Sequence, residues 1–259
     1  MAKLDVNRLS LRRSEGFSLV ELAMALLIIG LLVAAVLQGQ ELVKNAKVSR
    51  TISQANEYFR AVNSFENLYG GLPGDLANAR SEIPGCMDNP TCQGGDGNGV
   101  INEDGGDGTD WLGWSTSAVA SLSSESVQFW TTLALAELID GVDVDFTGTD
   151  FAWGRSHPRS AFGGGIEFFY DNATLLGTAF HTFRFSRGAI RSGTPVRDQY
   201  IVSPLVAYMI DRKADDGLAW QGKIIVDYGA RNTICHNYDV YKIQETQEEA
   251  CILFFMLYN

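Results

Sequence analysis

The sequence lacks the motifs on which several large classes of enzyme depend. Its 259 residues contain no nucleophile elbow, P-loop, H-E-x-x-H motif or dinucleotide-binding fingerprint. Only three histidines occur, far apart and outside any motif, so we expect surface or hydrogen-bonded residues rather than catalysts: His157, His181 and His236. The sequence therefore gives no positive sign of catalysis, although a carboxylate pair formed only by folding would not be visible in it.

Basic residues are scarce. The chain has 20 of them against 31 acidic residues, which gives a formal net charge of −11. A nucleic-acid groove needs lysine and arginine to neutralise phosphates. This charge balance argues against nucleic acid as a partner.

Cysteine is also rare, with four residues: Cys86, Cys92, Cys235 and Cys251. A zinc site is not expected, because no C-x-x-C occurs and the histidine beside Cys235 has no second partner. In an oxidising compartment the four cysteines allow three pairings. Proximity in sequence favours Cys86 with Cys92 and Cys235 with Cys251.

Between Phe17 and Lys44 there is no basic residue and no proline. Residues 16–37 read GFSLVELAMALLIIGLLVAAVL, with Glu21 as their single charge. About 20 apolar residues are enough for a helix to cross a bilayer, so we predict one membrane-spanning helix. The basic residues before it favour a cytoplasmic leader and export of the long remainder.

Glu21 is costly in such a helix, at about 2.5–3.5 kcal/mol. A cut between Gly16 and Phe17 would create an ammonium group one helical turn away, which would give the carboxylate a partner on its own or a neighbouring chain. Two alternatives are an ordinary anchor with an acid near the headgroups and a secretory signal peptide. The signal peptide fits poorly, because the apolar run is long, contains Glu21 and is followed by no A-x-A site.

The stretch RRSEGFSLVE at residues 12–21, followed by the apolar run, resembles the N-terminus of type IV prepilins and type II secretion pseudopilins. The resemblance implies that a prepilin peptidase cuts after Gly16 and methylates the new amino group of Phe17. It also implies that Glu21 pairs with a neighbour's terminus during assembly, with an inner-membrane assembly platform and identical or different pilins as partners. Loss of residues 1–16 would leave a net charge of −13.

The predicted organisation has three parts. They are a leader at residues 1–16, a long helix at 17–70 whose first half (17–37) crosses the membrane, and a globular domain at 71–259. Apolar residues keep helical spacing until Gly70 and Gly71. Two further helices are predicted, ESVQFWTTLALAELIDG from a serine start and SPLVAYMIDRK from a Ser-Pro start. Strands are predicted from alternating or apolar runs at residues 166–170 and 180–185 and in the segments GKIIVDY and CILFFMLYN. We therefore predict a type IV pilin-like α+β fold, with an antiparallel sheet and short helices packed on the long helix.

Glycine and acidic residues dominate the stretch at 93–110. Oxygen donors of the kind that Ca²⁺ prefers stand at alternate positions: Asp96, Asn98, the carbonyl of Val100, Asn102 and Asp104. The resemblance to an EF-hand loop is partial, because Val100 and Ile101 replace its usual Asx residue and glycine. The alternative is a solvated, flexible loop without a metal.

Three functions fit these features. The favoured one is a pilin or pseudopilin subunit, anchored in the inner membrane with its domain in the periplasm before it joins a periplasmic or extracellular filament. A minor pilin, an adhesin or a DNA-uptake tip protein would expose aromatic residues such as Trp111 and Trp114. An anchored periplasmic enzyme would keep its activity as a soluble fragment.

Overall fold

The structure is a computed structural model that describes residues 18–101, 124–147, 152–171, 179–188, 199–227 and 234–257. Two compact units divide the chain, Met1–Asn45 and Ala46–Asn259. This division lies within the long helix rather than at its end, because residues of its second half belong to the core of the globular unit. Six residues from the sequence predictions lie outside the described ranges: Gly16, Phe17, Asn102, Asp104, Trp111 and Trp114.

Helix α1 spans Leu19–Tyr69. It ends where the sequence predicts, because Gly70 adopts a φ of 77° and its N–H bonds to the carbonyl of Glu66 at 2.8 Å. In the globular unit its buried residues recur every three or four positions, so they form one face: Val48, Thr51, Ala55, Tyr58, Ala61, Val62 and Phe65. This face packs into the main hydrophobic core.

The remaining elements are short. They are, in order, α2 (Ala79–Glu82), α3 (Glu125–Leu135), β1 (Gly165–Asp171), β2 (Phe180–Ser186), α4 (Pro204–Ala214), β3 (Ile224–Asp227), β4 (His236–Asn237), β5 (Val240–Tyr241) and β6 (Ile252–Leu257). Both predicted helices and all four predicted strands are present. Helix α2 and the small hairpin β4–β5 were not predicted from the sequence.

Helix α3 ends earlier than the predicted limit near Gly141. Glu137 has a φ of 58°. Its N–H bonds to the carbonyl of Ala134, and the N–H of Leu138 bonds to the carbonyl of Leu133, both at 3.0 Å. This is a Schellman motif, in which the left-handed position is usually glycine. Because a glutamate fills it here, no glycine in the sequence marks the end of the helix.

The four-stranded antiparallel sheet has the order β1-β2-β6-β3, which places the last strand of the chain between two earlier ones. One face of the sheet packs on α1 and α3, and the core includes the fully buried Trp130, the predicted core anchor. The other face is buried too, in a second cluster of Phe180, Ile225, Ile252, Phe254 and Met256. Burial on both faces explains why β6 is apolar throughout rather than alternating.

Two disulfides join the elements. They link Cys86 to Cys92 and Cys235 to Cys251, the pairing that proximity favours. The second bond connects the residue before the β4–β5 hairpin to the residue before β6. All four cysteines are buried, so both bonds are shielded from solvent.

Candidate functional site

The first half of α1 is a helix without a partner inside the described chain. Every large apolar side chain from Leu19 to Leu37 is more than half exposed, from 53% at Val33 to 86% at Leu19. A helix that is apolar on all sides is buried in a membrane or a larger assembly. Among the described residues, α1 alone is long and apolar enough to cross a membrane. Within the described residues, nothing covers its apolar surface.

Glu21 lies in the first turn of this helix, beside Ser18. The Ser18 hydroxyl accepts the Val20 N–H at 3.3 Å, and the Glu21 carboxylate accepts the Ser18 N–H at 2.9 Å. This reciprocal pair is a capping box, which satisfies backbone N–H groups that have no helical partner. The carboxylate also lies at the positive end of the helix dipole.

The capping box gives Glu21 a second role that the sequence analysis missed. The signal was present, because Ser18 and Glu21 form the S-x-x-E pattern directly before an apolar run. A glutamine could make the same cap without a charge. Capping and charge pairing with an amino group can therefore be separated by mutation.

The stretch at 93–110, of which the structure describes residues 93–101, is called the acidic loop below. It is organised by a residue that is not among the predicted calcium ligands. Asp75 is 3% exposed. One of its oxygens accepts the N–H groups of Gly97 and Asn98 at 2.8 and 3.2 Å, and the other accepts that of Gly99 at 2.8 Å. A side chain at Gly95 would collide with the Asp75 backbone. The glycines therefore let the loop close around one carboxylate.

Three carboxylates meet at this loop. Asp75, Asp96 and Glu125 each place one oxygen within 4.8 Å of the others, and Glu125 also accepts the Asp96 N–H at 3.2 Å. Burial, with a smaller contribution from Asp96, raises the pKa of Asp75, although the Gly99 and Gly97 N–H groups oppose the shift. Such a group could hold a hard cation through oxygen ligands.

This group overlaps the predicted calcium ligands only at Asp96. The Asp96 oxygens accept the backbone and side-chain N–H groups of Asn98 at 3.0 and 2.8 Å, and the Asn98 oxygen accepts the Val100 N–H at 2.7 Å. Sequence spacing could not reveal Asp75 or Glu125, because they come from a separate loop and from the first turn of α3.

The three histidines form no shared site. All are buried, and burial lowers the pKa of each, to about 3 at His157 and about 4 at His181. Such residues stay neutral near pH 7. The sequence predicts surface or hydrogen-bonded residues, and the structure places all three in the interior, each with one ring nitrogen in a hydrogen bond.

Comparison with known families gives one match. Residues 11–37 match the prokaryotic N-terminal methylation motif, which includes Gly16, Phe17 and Glu21. Comparison with curated proteins and with solved structures found no significant similarity. The motif implies processing by a prepilin peptidase and assembly with other pilins. Its place before a long helix that leads into an α+β domain supports the identification of this chain as a type IV prepilin- or pseudopilin-type protein.

Proposed function

We propose that this chain is a structural subunit of a type IV pilus or a type II secretion-like filament. It is cut after Gly16, methylated at Phe17 and polymerised through the first half of α1. The observation that carries the proposal is the apolar helix behind the methylation motif, whose large apolar side chains are all more than half exposed. Before assembly the subunit is a single-pass inner-membrane protein with its globular unit in the periplasm. An assembly platform then moves it into the filament.

The apolar surface alone does not select the filament over the membrane. Lipid tails are as apolar as the neighbouring helices, so transfer from one to the other gains little hydrophobic free energy. A specific polar contact decides more in this setting. Glu21 supplies it by pairing with the amino terminus of an adjacent subunit, because both groups are otherwise unpaired charges in an apolar environment. Repetition of one head-to-tail contact produces an open helix of subunits.

The test compares substitutions that separate charge from capping. Glu21→Gln keeps the capping box and removes the charge, whereas Ser18→Ala weakens the cap and keeps the charge. We expect Glu21→Gln to be processed and retained in the membrane but to yield at least about ten-fold fewer filaments. Ser18→Ala should assemble at near wild-type levels. Measurements are N-terminal mass spectrometry, membrane fractionation and filament yield by electron microscopy.

Two outcomes would contradict the proposal. Normal filaments from Glu21→Gln, with loss only in Ser18→Ala, would make Glu21 a cap and not an assembly residue. A wild-type protein that keeps Met1, or that starts beyond Leu37, would remove the amino group on which the pairing depends. A wild-type protein that starts at a methylated Phe17 would support the proposal.

We further propose that the acidic loop binds Ca²⁺. Asp96 is common to the ligands expected from sequence and to the group with Asp75 and Glu125. Asn98 and the Val100 carbonyl lie on the same loop, and Asn102 and Asp104 follow in the sequence. Calcium would offset most of the negative charge of three neighbouring carboxylates and so fix the loop against α3.

A minor subunit with a binding role is the second candidate. The observation in its favour is the β4–β5 hairpin, where Tyr238 is 81% exposed and Val240 68% exposed. Tyr238 also has a φ of 51°, which is unusual for a bulky residue. A subunit of this kind would occur at few copies per filament, whereas a major subunit would dominate its mass. Quantitative mass spectrometry of purified filaments distinguishes the two.

A further inference from the structure

Four exposed basic side chains lie near one another on the globular unit, where its part of α1 begins. Lys47 and Arg50 belong to α1, Arg159 precedes β1, and Lys213 lies in the last turn of α4. We call these four residues the basic patch. The whole chain has 31 acidic residues and 20 basic ones, so positive charge gathered in one place contrasts with its composition. The basic patch has no part in the N-terminal motif or in the acidic loop.

Contacts with one turn of α1 bring the basic patch together. The Lys213 ammonium group donates to the Ser49 hydroxyl at 2.7 Å, so the end of α4 meets α1 next to Arg50. The Lys47 ammonium group lies 5.7 Å from the centre of the Phe162 ring, on the loop before β1. Three separate segments therefore contribute to one surface.

A cavity beside α1 joins the two arginines of the basic patch. Its volume is about 520 Å³, and both Arg50 and Arg159 line it. The Gln54 side-chain N–H donates to the Arg159 carbonyl at 3.0 Å, which holds this residue against the helix. Two acids, Glu57 and Asp140, also line the cavity. Glu57 lies about 10 Å farther along α1 than Arg50, so the positive charge is concentrated toward the start of the globular unit.

Within the described residues, no member of the basic patch forms an ion pair with a carboxylate. Several basic side chains elsewhere in the globular unit do form such pairs: Arg155 with Asp143, Arg184 with Glu167, Arg187 with Glu249 and Lys242 with Glu245. Exposed charges of one sign without a partner repel one another. The basic patch therefore needs a source of negative charge from outside the described chain.

The acids at the end of α4 are bonded to other groups. Asp211 is completely buried. Asp215 and Asp216 accept backbone N–H groups from residues 218–224. Lys213 instead reaches α1. These acids therefore leave the basic patch without an ion-pair partner.

The basic patch follows closely after the apolar part of α1. Lys47 comes ten residues after Leu37, and ten residues of helix rise by about 15 Å. The headgroup region of a bilayer extends about 5–8 Å beyond each side of its hydrocarbon core. Lys47 would then lie within about 10 Å of the headgroups, which is close to the Debye length of about 8 Å at physiological ionic strength.

We propose that the basic patch docks the globular unit on anionic phospholipid headgroups beside its own membrane span, before the subunit joins a filament. This inference rests on the proposed function in one respect, that residues 19–37 cross a membrane. Each basic side chain close to an anionic membrane surface raises the docked population about five-fold. Phe162, next to Lys47, adds an aromatic ring at the level where membrane proteins are rich in such rings.

The test places a photo-crosslinker in the basic patch of the full-length chain. Phe162→p-benzoylphenylalanine is reconstituted in nanodiscs of phosphatidylcholine, alone or with about 30% phosphatidylglycerol. We expect at least about five-fold more lipid adduct, measured by mass spectrometry, when phosphatidylglycerol is present. The excess should disappear in about 1 M NaCl, because the Debye length falls to about 3 Å. The same crosslinker at Leu68, which is 67% exposed near the other end of α1, should give little lipid adduct in either bilayer.

Substitutions in the crosslinking chain assign the effect to the basic patch. Arg50→Gln and Lys213→Gln should each lower the lipid adduct about five-fold in the phosphatidylglycerol bilayer. Arg60→Gln is the matched control, because Arg60 is an exposed arginine of the same helix and lies about 15 Å farther along it than Arg50. It should leave the adduct yield unchanged. Thermal melts in phosphatidylcholine nanodiscs check that the variants stay folded, and the lipid and salt dependence of the unsubstituted patch needs no such variant.

Three outcomes would overturn the docking. Equal lipid adducts in the two bilayers, from a chain that is inserted, would remove it and leave the proposed function intact. A crosslink mainly to a second copy of the chain would identify the partner as protein rather than lipid. A loss in Arg60→Gln equal to that in Arg50→Gln would show that the basic patch has no special part. Failure of the chain to insert in any bilayer would instead remove both the docking and the proposed function.

Discussion

The two halves of α1 contain apolar residues for opposite reasons. From Leu19 to Leu37 they surround the helix and more than half of each large apolar side chain is exposed, whereas from Val48 to Phe65 they occupy one face and are buried. The pattern distinguishes a half whose apolar surface is left uncovered by the described residues from a half that packs into the hydrophobic core. In the first region the charged residue Glu21 accepts the Ser18 N–H of its own helix terminus.

The test with the largest expected effect removes one apolar side chain from each half of α1. Phe65 is completely buried beside Tyr69, with ring centroids 4.6 Å apart. Phe65→Ala should lower the free energy of unfolding of the globular unit by about 3–5 kcal/mol, because a large core cavity remains. Leu27→Ala should leave it within about 0.5 kcal/mol, since Leu27 is 64% exposed.

Chemical denaturation of the full-length chain in one detergent, followed by near-UV circular dichroism, measures both variants. If Leu27→Ala destabilised the globular unit as much as Phe65→Ala, the two halves would not differ as described. Reduced filament yield with unchanged unfolding in Leu27→Ala would sharpen the distinction.

Calcium binding provides a test with a smaller expected effect on stability, and this effect should be confined to the globular unit. With Ca²⁺ at about 100 times its dissociation constant, binding should stabilise this unit by about 2.7 kcal/mol. Isothermal titration and thermal melts with and without EDTA measure the effect. Asp75→Asn and Asp96→Asn should reduce it, whereas Asp88→Asn, an exposed acid that is not part of the group, should not. No heat of binding and no shift in Tm would reject the metal.

The smallest expected effect concerns the backbone at the end of α3. Glu137→Gly should stabilise the globular unit by about 0.5–1 kcal/mol, because glycine adopts the positive φ at this position without the steric cost that other residues incur. Ala134→Gly, within the helix, is the control and should destabilise by about 1 kcal/mol. Thermal melts compare the two. A loss of stability in both variants would show that the Glu137 side chain contributes more than its conformation costs.

Local patterns predicted much of the fold. The proline-free apolar run, the paired glycines after Tyr69 and the Ser203–Pro204 start each act over one or two turns of chain, so the bounds of α1 and α4 could be read directly. The strands were visible because their apolar runs lie between turn residues. The end of α3 was missed because Glu137 carries no local sign of a left-handed conformation.

The N-terminal motif could be recognised in the same way, because its residues lie close together in the sequence and match at residues 11–37. The sequence by itself determined the methylation motif, the long apolar helix and the disulfide pairing that proximity favours. Only the tertiary structure decided that β6 lies between β2 and β3, that Asp75 and Glu125 join Asp96, and that Asp211 meets Tyr241. Those contacts join segments between about 20 and 75 residues apart, and no local pattern records which distant residues chain folding brings together.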